Sequence, residues 1–147
     1  MLQDSHLNKS ALIFIHPRTG AGMKTNLSEN EWKLMNCLWD KTPMTITELT
    51  AALKEETGWS KNIVITMLSR LEAKGAVAYR QGEKAKQYFP LISRDETARA
   101  ETKSFLGRVY GGSLGLMMNA MVESHSLTEE DIAELSAILD RAGGGRQ

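Results

Sequence analysis

Trp59-Ser60-Lys61-Asn62-Ile63-Val64-Ile65-Thr66-Met67-Leu68-Ser69-Arg70-Leu71-Glu72-Ala73-Lys74-Gly75 is the stretch from which the rest of the chain is read. At 100° per residue, Val64, Met67, Leu68 and Leu71 share one face of a helix and point toward a core. Asn62, Thr66 and Ser69 fall nearly opposite, flanked by Ile65 and Arg70. An ordinary exposed helix face carries Lys and Glu in (i, i+4) pairs. This face carries short hydrogen-bonding side chains and one Arg, which are residue types that read base edges in a DNA major groove. There Arg grips guanine O6 and N7, Asn pairs with adenine, and Thr or Ile touches a thymine methyl. Taken alone, the pattern fits a groove-reading helix and a plain surface helix equally well.

The flanking sequence repeats one grammar of helix starts. Leu27-Ser28-Glu29-Asn30-Glu31-Trp32 offers Ser28 as N-cap, Glu31 to close a capping box, and Leu27 with Trp32 as a hydrophobic staple. Met44-Thr45-Ile46-Thr47-Glu48-Leu49 repeats it, and Leu127-Thr128-Glu129-Glu130-Asp131-Ile132 does so with Asp131 in the Glu position. Ser60 caps the stretch above, with Trp59 and Val64 as its staple, and Ser93 with Glu96 makes a further box. Each such cap contributes about 1 kcal/mol and fixes where a helix begins. The expected elements are helices at 28–40, 45–57, 60–74, 93–110, 113–124 and 128–142, with a hairpin at 77–90. Gly58, Gly75 and Gly143 stand where helix C-termini take a left-handed residue. The hairpin reads Val77-Ala78-Tyr79-Arg80, a loop through Gly82 and Lys84, then Gln87-Tyr88-Phe89 ended by Pro90.

Three helices followed by a hairpin is the order of a winged helix-turn-helix, in which the third helix reads bases and the hairpin loop reaches the DNA backbone. The loop Arg80-Gln81-Gly82-Glu83-Lys84-Ala85-Lys86 has the cationic character that role needs. Arg80, Lys84 and Lys86 therefore join Ser60, Lys61, Asn62, Thr66, Ser69 and Arg70 as candidate DNA-binding residues. The fold class expected is mainly α with a small β-hairpin wing: an N-terminal winged helix-turn-helix and a C-terminal helical region.

Bulk composition is consistent with this. The chain has 147 residues, 41% apolar and 24% charged, with three prolines and a formal net charge of zero. Zero net charge argues against an indiscriminate polyanion binder, but the charge is unevenly placed. Residues 60–90 hold six basic side chains against two acidic, a balance of +4, whereas residues 91–142 hold five against nine, a balance of −4. A single cysteine excludes an intrachain disulfide and fits a reducing compartment. No apolar run approaches the roughly 20 residues that span a bilayer. Residues 11–15 are too short for a signal-peptide core, and the expected location is cytoplasmic. Residues 1–26 are expected to be a disordered N-terminal extension, with Met23 as an alternative start. Residues 27–92 are expected to form the DNA-binding domain, 93–142 a helical dimerisation region and 143–147 a tail.

The chain resembles the penicillinase-repressor family of β-lactamase, methicillin-resistance and copper-responsive transcriptional repressors. The resemblance covers roughly residues 27–142. It rests on Leu27-Ser28-Glu29-Asn30-Glu31-Trp32 with Met35 and Leu38-Trp39-Asp40, and on Trp59-Ser60 leading to Thr66 and Leu68-Ser69-Arg70-Leu71. It continues through Lys74-Gly75-Ala76-Val77, Tyr88-Phe89-Pro90 and Phe105-Leu106 to Tyr110-Gly111-Gly112. The resemblance implies a homodimeric repressor of a bacterial operon on a palindromic operator. It implies Thr66 and Arg70 as base contacts, and Ser60, Lys61 and Asn62 near phosphates or bases. Ile63 and Ile65 stand where related repressors often have polar residues, so the operator sequence does not carry over. Phe105, Leu106, Val109, Tyr110, Leu116, Met117, Leu135, Ile138 and Leu139 supply more apolar surface than three short helices hide alone, and are the expected dimer interface.

The resemblance also implies release by an inducing signal. Antibiotic-responsive members are cut after an Asn that precedes Phe, with a membrane sensor protease as the further partner. The corresponding pair here is Asn119-Ala120, and a pocket shaped for an aromatic is left partly empty by Ala, which weakens the expectation of cutting there. Copper-responsive members carry closely spaced cysteines, whereas Cys37 is the single cysteine here, and soft-metal thiolate sites need several sulfurs.

The remaining features read as structural. Cys37, between Met35, Leu38 and Trp39, is expected to be a partly buried packing residue rather than a reactive thiol. His6, His16 and His125 match no zinc spacing. Trp32, Trp39 and Trp59 occupy packing positions, and Met117, Met118 and Met121 read as adaptable filler. Gly111-Gly112 reads as a helix break. There is no nucleophile–base pair and no cofactor fingerprint, so an enzyme, a metal site and a cofactor are not expected. Two alternatives share the fold: a small-ligand-responsive winged-helix regulator, and a protein-interaction adaptor without DNA binding.

Overall fold

The computed structural model describes residues 26–144. In chain order it has helices α1 (Glu29–Asp40), α2 (Ile46–Thr57) and α3 (Lys61–Lys74), then strands β1 (Val77–Gln81) and β2 (Lys86–Pro90). Helices α4 (Arg94–Tyr110), α5 (Leu114–Glu123) and α6 (Glu129–Gly144) follow. The extension up to residue 25, the alternative start at Met23 and residues 145–147 of the tail lie outside the described residues. The chain forms two compact units, the first ending at Glu101 and the second beginning at Thr102, both within α4.

The caps start the helices where the sequence places them. Ser28 and Glu31 exchange bonds, with Glu31 N–H donating to Ser28 Oγ (3.2 Å) and Ser28 N–H donating to Glu31 Oε1 (2.9 Å). Thr45 and Glu48 do the same at α2, and Thr128 with Asp131 at α6. Asp131 therefore closes a full reciprocal box with both bonds at 3.0 Å. Ser60 accepts from Ile63 N–H at the start of α3, and Ser113 accepts from Leu116 N–H at α5.

Gly58 and Gly75 end α2 and α3 in the left-handed region, with φ of 70° and 83°. Gly143 does not end α6, which continues through it to Gly144. The difference follows from what comes next. After Gly75, buried Ala76 donates its N–H to Leu71 O (2.8 Å), completing the hydrogen-bonded and apolar contacts that reward a left-handed cap. Gly143 is followed by Gly144 and Gly145, which bring no side chain to such a contact.

The first unit's core lies between its helices and the hairpin. Leu34, Met35 and Leu38 of α1, Leu49 and Leu53 of α2, and Val64, Met67, Leu68 and Leu71 of α3 are buried together with Ala76, Val77 and Tyr88. The hairpin is antiparallel, in the register Val77↔Pro90, Tyr79↔Tyr88 and Gln81↔Lys86. Met44, between α1 and α2, adds a bridge to Tyr88 through two backbone hydrogen bonds of 3.0 and 2.8 Å. This pairing was not legible in the sequence. Trp39 donates its indole N–H to Ile92 O (2.9 Å), and Arg94 pairs with Asp40 (2.7 Å), fixing the start of α4 on α1. Three helices around one core, closed by a hairpin, make this unit a winged helix-turn-helix.

In the second unit the end of α4, α5 and α6 contribute no buried residue. Phe105 and Tyr110 meet edge to face at 6.1 Å. Gly111 and Gly112, with φ of 59° and 87°, break the chain between α4 and α5.

Candidate nucleic-acid interface

The buried face of α3 fixes which side chains it offers to solvent. With Val64, Met67, Leu68 and Leu71 packed inward, Asn62, Thr66, Ser69 and Arg70 are exposed, together with Lys61, Ile63 and Ile65. Among the described residues, the side chains of Asn62, Thr66, Ser69 and Arg70 take part in no hydrogen bond or ion pair. They form a row of available donors and acceptors on a helix whose own backbone is anchored by the core. A cavity of about 350 Å³ runs beside the row, lined by Ser28 and Asn30 from the start of α1 and by Trp59, Asn62, Ile63, Thr66, Met67 and Arg70.

The electrostatics of the α3 start differ from those of its neighbours. α1, α2, α4 and α6 each place acidic residues in the first turn, where they complement the positive end of the helix dipole. Among the described helices α3 and α5 place none there, and α3 carries Lys61 instead. Its positive end is left for an outside anion such as a phosphate. The Ser60 hydroxyl is already engaged as the cap, so Ser60 presents a helix terminus more than a free side chain.

In the wing, Arg80, Lys84 and Lys86 are all exposed. Their situations differ. Lys86 Nζ sits 4.3 Å over the Tyr79 ring, a cation–π contact that the sequence did not reveal. Arg80 and Lys84 form no ion pair among the described residues. Lys74, which adds to the positive balance of this segment, is held by Glu31 at 2.6 Å and is withdrawn from the cationic surface.

Among the described residues, three ionisable groups are perturbed by packing. Burial acts to raise the Glu31 carboxyl, but hydrogen bonds from Lys74 and from Ser28 N–H outweigh it and hold the group below the ordinary glutamate range. Burial raises the Tyr88 hydroxyl, as does the charge of Glu72. Burial also raises the Cys37 thiol, helped by Asp40 and Glu56. Its Sγ lies 4.0 Å from Met44 Sδ in a half-buried position, which fits a packing residue and not an activated thiol.

In the second unit, Phe105, Val109, Leu116, Ile138 and Leu139 of the expected dimer interface are exposed, while Leu106, Tyr110, Met117 and Leu135 are half-buried. Asn119 is exposed and Ala120 half-buried, both inside the hydrogen-bonded body of α5. His125 lies in the turn before α6, and His6 and His16 fall outside the described residues. Among the described residues there is no cluster able to hold a metal ion, and no helix is long and apolar enough to cross a membrane.

A winged helix-turn-helix whose third helix exposes a polar, unpaired face defines the class of molecule. Residues 27–141 match the penicillinase repressor family, and the chain belongs to it. That family is one of transcriptional repressors and not of enzymes. The penicillinase repressor of Bacillus licheniformis is 31% identical over 114 residues, spanning 78% of this chain and 89% of that protein. The methicillin resistance regulatory protein MecI of Staphylococcus aureus is 27% identical over 115 residues, spanning 78% of this chain and 94% of that one. The solution structure of the DNA-binding domain of the repressor BlaI is 27% identical, covering 48% of this chain and 87% of that domain with a TM-score of 0.45.

Proposed function

We propose that this DNA-binding transcriptional repressor acts as a homodimer on a palindromic operator of a bacterial operon, within the cytoplasm, and leaves it on an inducing signal. The observation that carries the reading is the row Asn62, Thr66, Ser69 and Arg70, exposed and unpaired on a helix anchored by Val64, Met67, Leu68 and Leu71. In this reading α3 lies in the major groove, with Thr66 and Arg70 on base edges and Asn62 and Ser69 on neighbouring bases or phosphates. Lys61 and the α3 N-terminus meet one phosphate strand, and Arg80 and Lys84 of the wing meet the backbone beyond it.

Dimerisation through the second unit is supported by its apolar side chains. Val109, Leu116 and Leu139 are 52%, 57% and 66% exposed, apolar surface that a second copy of the chain would cover. Two copies joined there would present two reading helices about 34–36 Å apart, matching half-sites one helical turn apart. Release by cutting between Asn119 and Ala120 requires α5 to unfold locally first, because a protease needs extended backbone.

Selection of bound sequences from random duplex DNA with the full chain, with sedimentation of the complex, tests the reading. The expected outcome is an inverted repeat bound by two chains. A chain that stays monomeric at micromolar concentration, or that enriches no sequence, overturns it.

A further inference from the structure

Two residues on the outward face of α3 are accounted for neither by folding nor by attraction to phosphate. Ile63 and Ile65 are 43% and 40% exposed, although the core face of the helix is already filled by other residues. β-Branched side chains are poorer helix formers than the Lys, Glu or Ala that usually fill such positions. Both stand among polar neighbours. At 100° per residue, Ile63 falls beside Arg70 on one flank of the row, lining the same cavity as Asn62 and Thr66. Ile65 falls on the other flank, one turn from Lys61 and Ser69. The two apolar side chains thus bracket the groove-reading row.

A phosphate wall would be met by cationic or polar side chains, because an apolar group against it only strips water from the charge. The apolar feature that a major groove does offer is the C5 methyl of thymine, which guanine, adenine and unmodified cytosine lack. An isoleucine in a helix is held in one dominant χ1 rotamer, so its methyl surface is aimed before contact and little entropy is lost on docking.

We infer that Ile63 and Ile65 each pack on a thymine methyl in every half-site, so that A·T pairs flanking the positions read by Asn62, Thr66 and Arg70 are part of this chain's operator specificity. The inference rests on α3 being the reading helix, as proposed above.

The test uses the full-length chain and its selected operator, with each thymine in turn replaced by deoxyuridine. That change removes one methyl and leaves every hydrogen-bonding group in place. Loss of a buried methyl corresponds to about a fourfold weaker Kd. The expected result is a penalty of that size at two thymines per half-site, with one penalty abolished in Ile63→Ala and the other in Ile65→Ala. Both positions are exposed, so thermal melts of the variants should match the parent. Specific binding that tolerates uridine at every thymine overturns the inference while leaving the repressor reading intact, as does a penalty unchanged in both variants. An absence of any sequence preference overturns the repressor reading, and this inference with it.

Discussion

Lys74 Nζ lies 2.6 Å from Glu31 Oε1 and 2.6 Å from the carbonyl oxygen of Asn26, so the last turn of α3 is tied to the entry of α1. The same Oε1 accepts the Ser28 N–H (2.9 Å). One nearly buried carboxylate therefore closes the α1 capping box and clamps the helix whose outward face is the candidate reading surface. The clamp sets the orientation of α3 from its C-terminal end while the Ser60 cap sets its start.

Glu31→Gln should lower stability by about 1–3 kcal/mol, less than a fully buried ion pair would lose, because the Lys74 side chain is 36% exposed. The carboxyl is held below its ordinary range in the folded chain. Its contribution is therefore present in full above the unfolded pKa of about 4.3 and is lost as pH falls through the lower folded value. Urea titrations across the acidic range check this: the parent should lose stability more steeply than Glu31→Gln on acidification, and the two should converge at the lowest pH.

Lys74 and Lys84 should behave oppositely on DNA. Lys84→Gln should weaken binding to all sequences alike and reduce the slope of log K against log salt by about 1. Lys74→Gln should cost stability yet leave that slope unchanged, because its charge is already compensated by Glu31. Fluorescence anisotropy across a salt series, with both variants held in folding conditions, separates the two.

Arg70→Ala should cost about 1–3 kcal/mol on the cognate operator and relax preference at one base position per half-site. Arg70 is exposed, so unfolding curves should stay within about 0.5 kcal/mol of the parent. Binding measured on operators randomised one position at a time locates the base.

Gly82→Ala should distort the wing. A Cβ at residue 82 would stand 2.6 Å from Ala85 O, the backbone atom that accepts the Gly82 N–H (3.0 Å) and closes the loop. The loop must open to admit it, at a cost of about 1–3 kcal/mol. Amide exchange should accelerate at residue 82, whose N–H bonds to Ala85 O in the parent, and non-specific DNA affinity should fall as Lys84 is displaced.

What was legible in the sequence was local. The starts at Ser28, Thr45, Ser60 and Thr128 depend on residues three or four apart, so their caps and the helix phases that follow were readable directly. The phase of α3, in turn, places Asn62, Thr66, Ser69 and Arg70 outward. What was not legible depends on residues distant in the chain. The Lys74–Glu31 clamp joins positions 43 apart, and the Met44–Tyr88 bridge adds a pairing to a segment with no strand pattern. Lys74 and Lys84 carry the same formal charge in the sequence, and only the tertiary fold pairs one of them with Glu31. At Gly143 the residue type alone implied a cap, but a left-handed end also needs the contact that the following residue makes.

Hydroxyl-radical footprinting of the selected operator reports how many α3 helices dock on the duplex and at what spacing. Protection is expected on two symmetry-related half-sites, centred about 10–10.5 base pairs or a multiple of that apart, with the pattern lost in Arg70→Ala at salt where the parent still binds. Uniform protection along the duplex, or an unchanged pattern in Arg70→Ala, would contradict it.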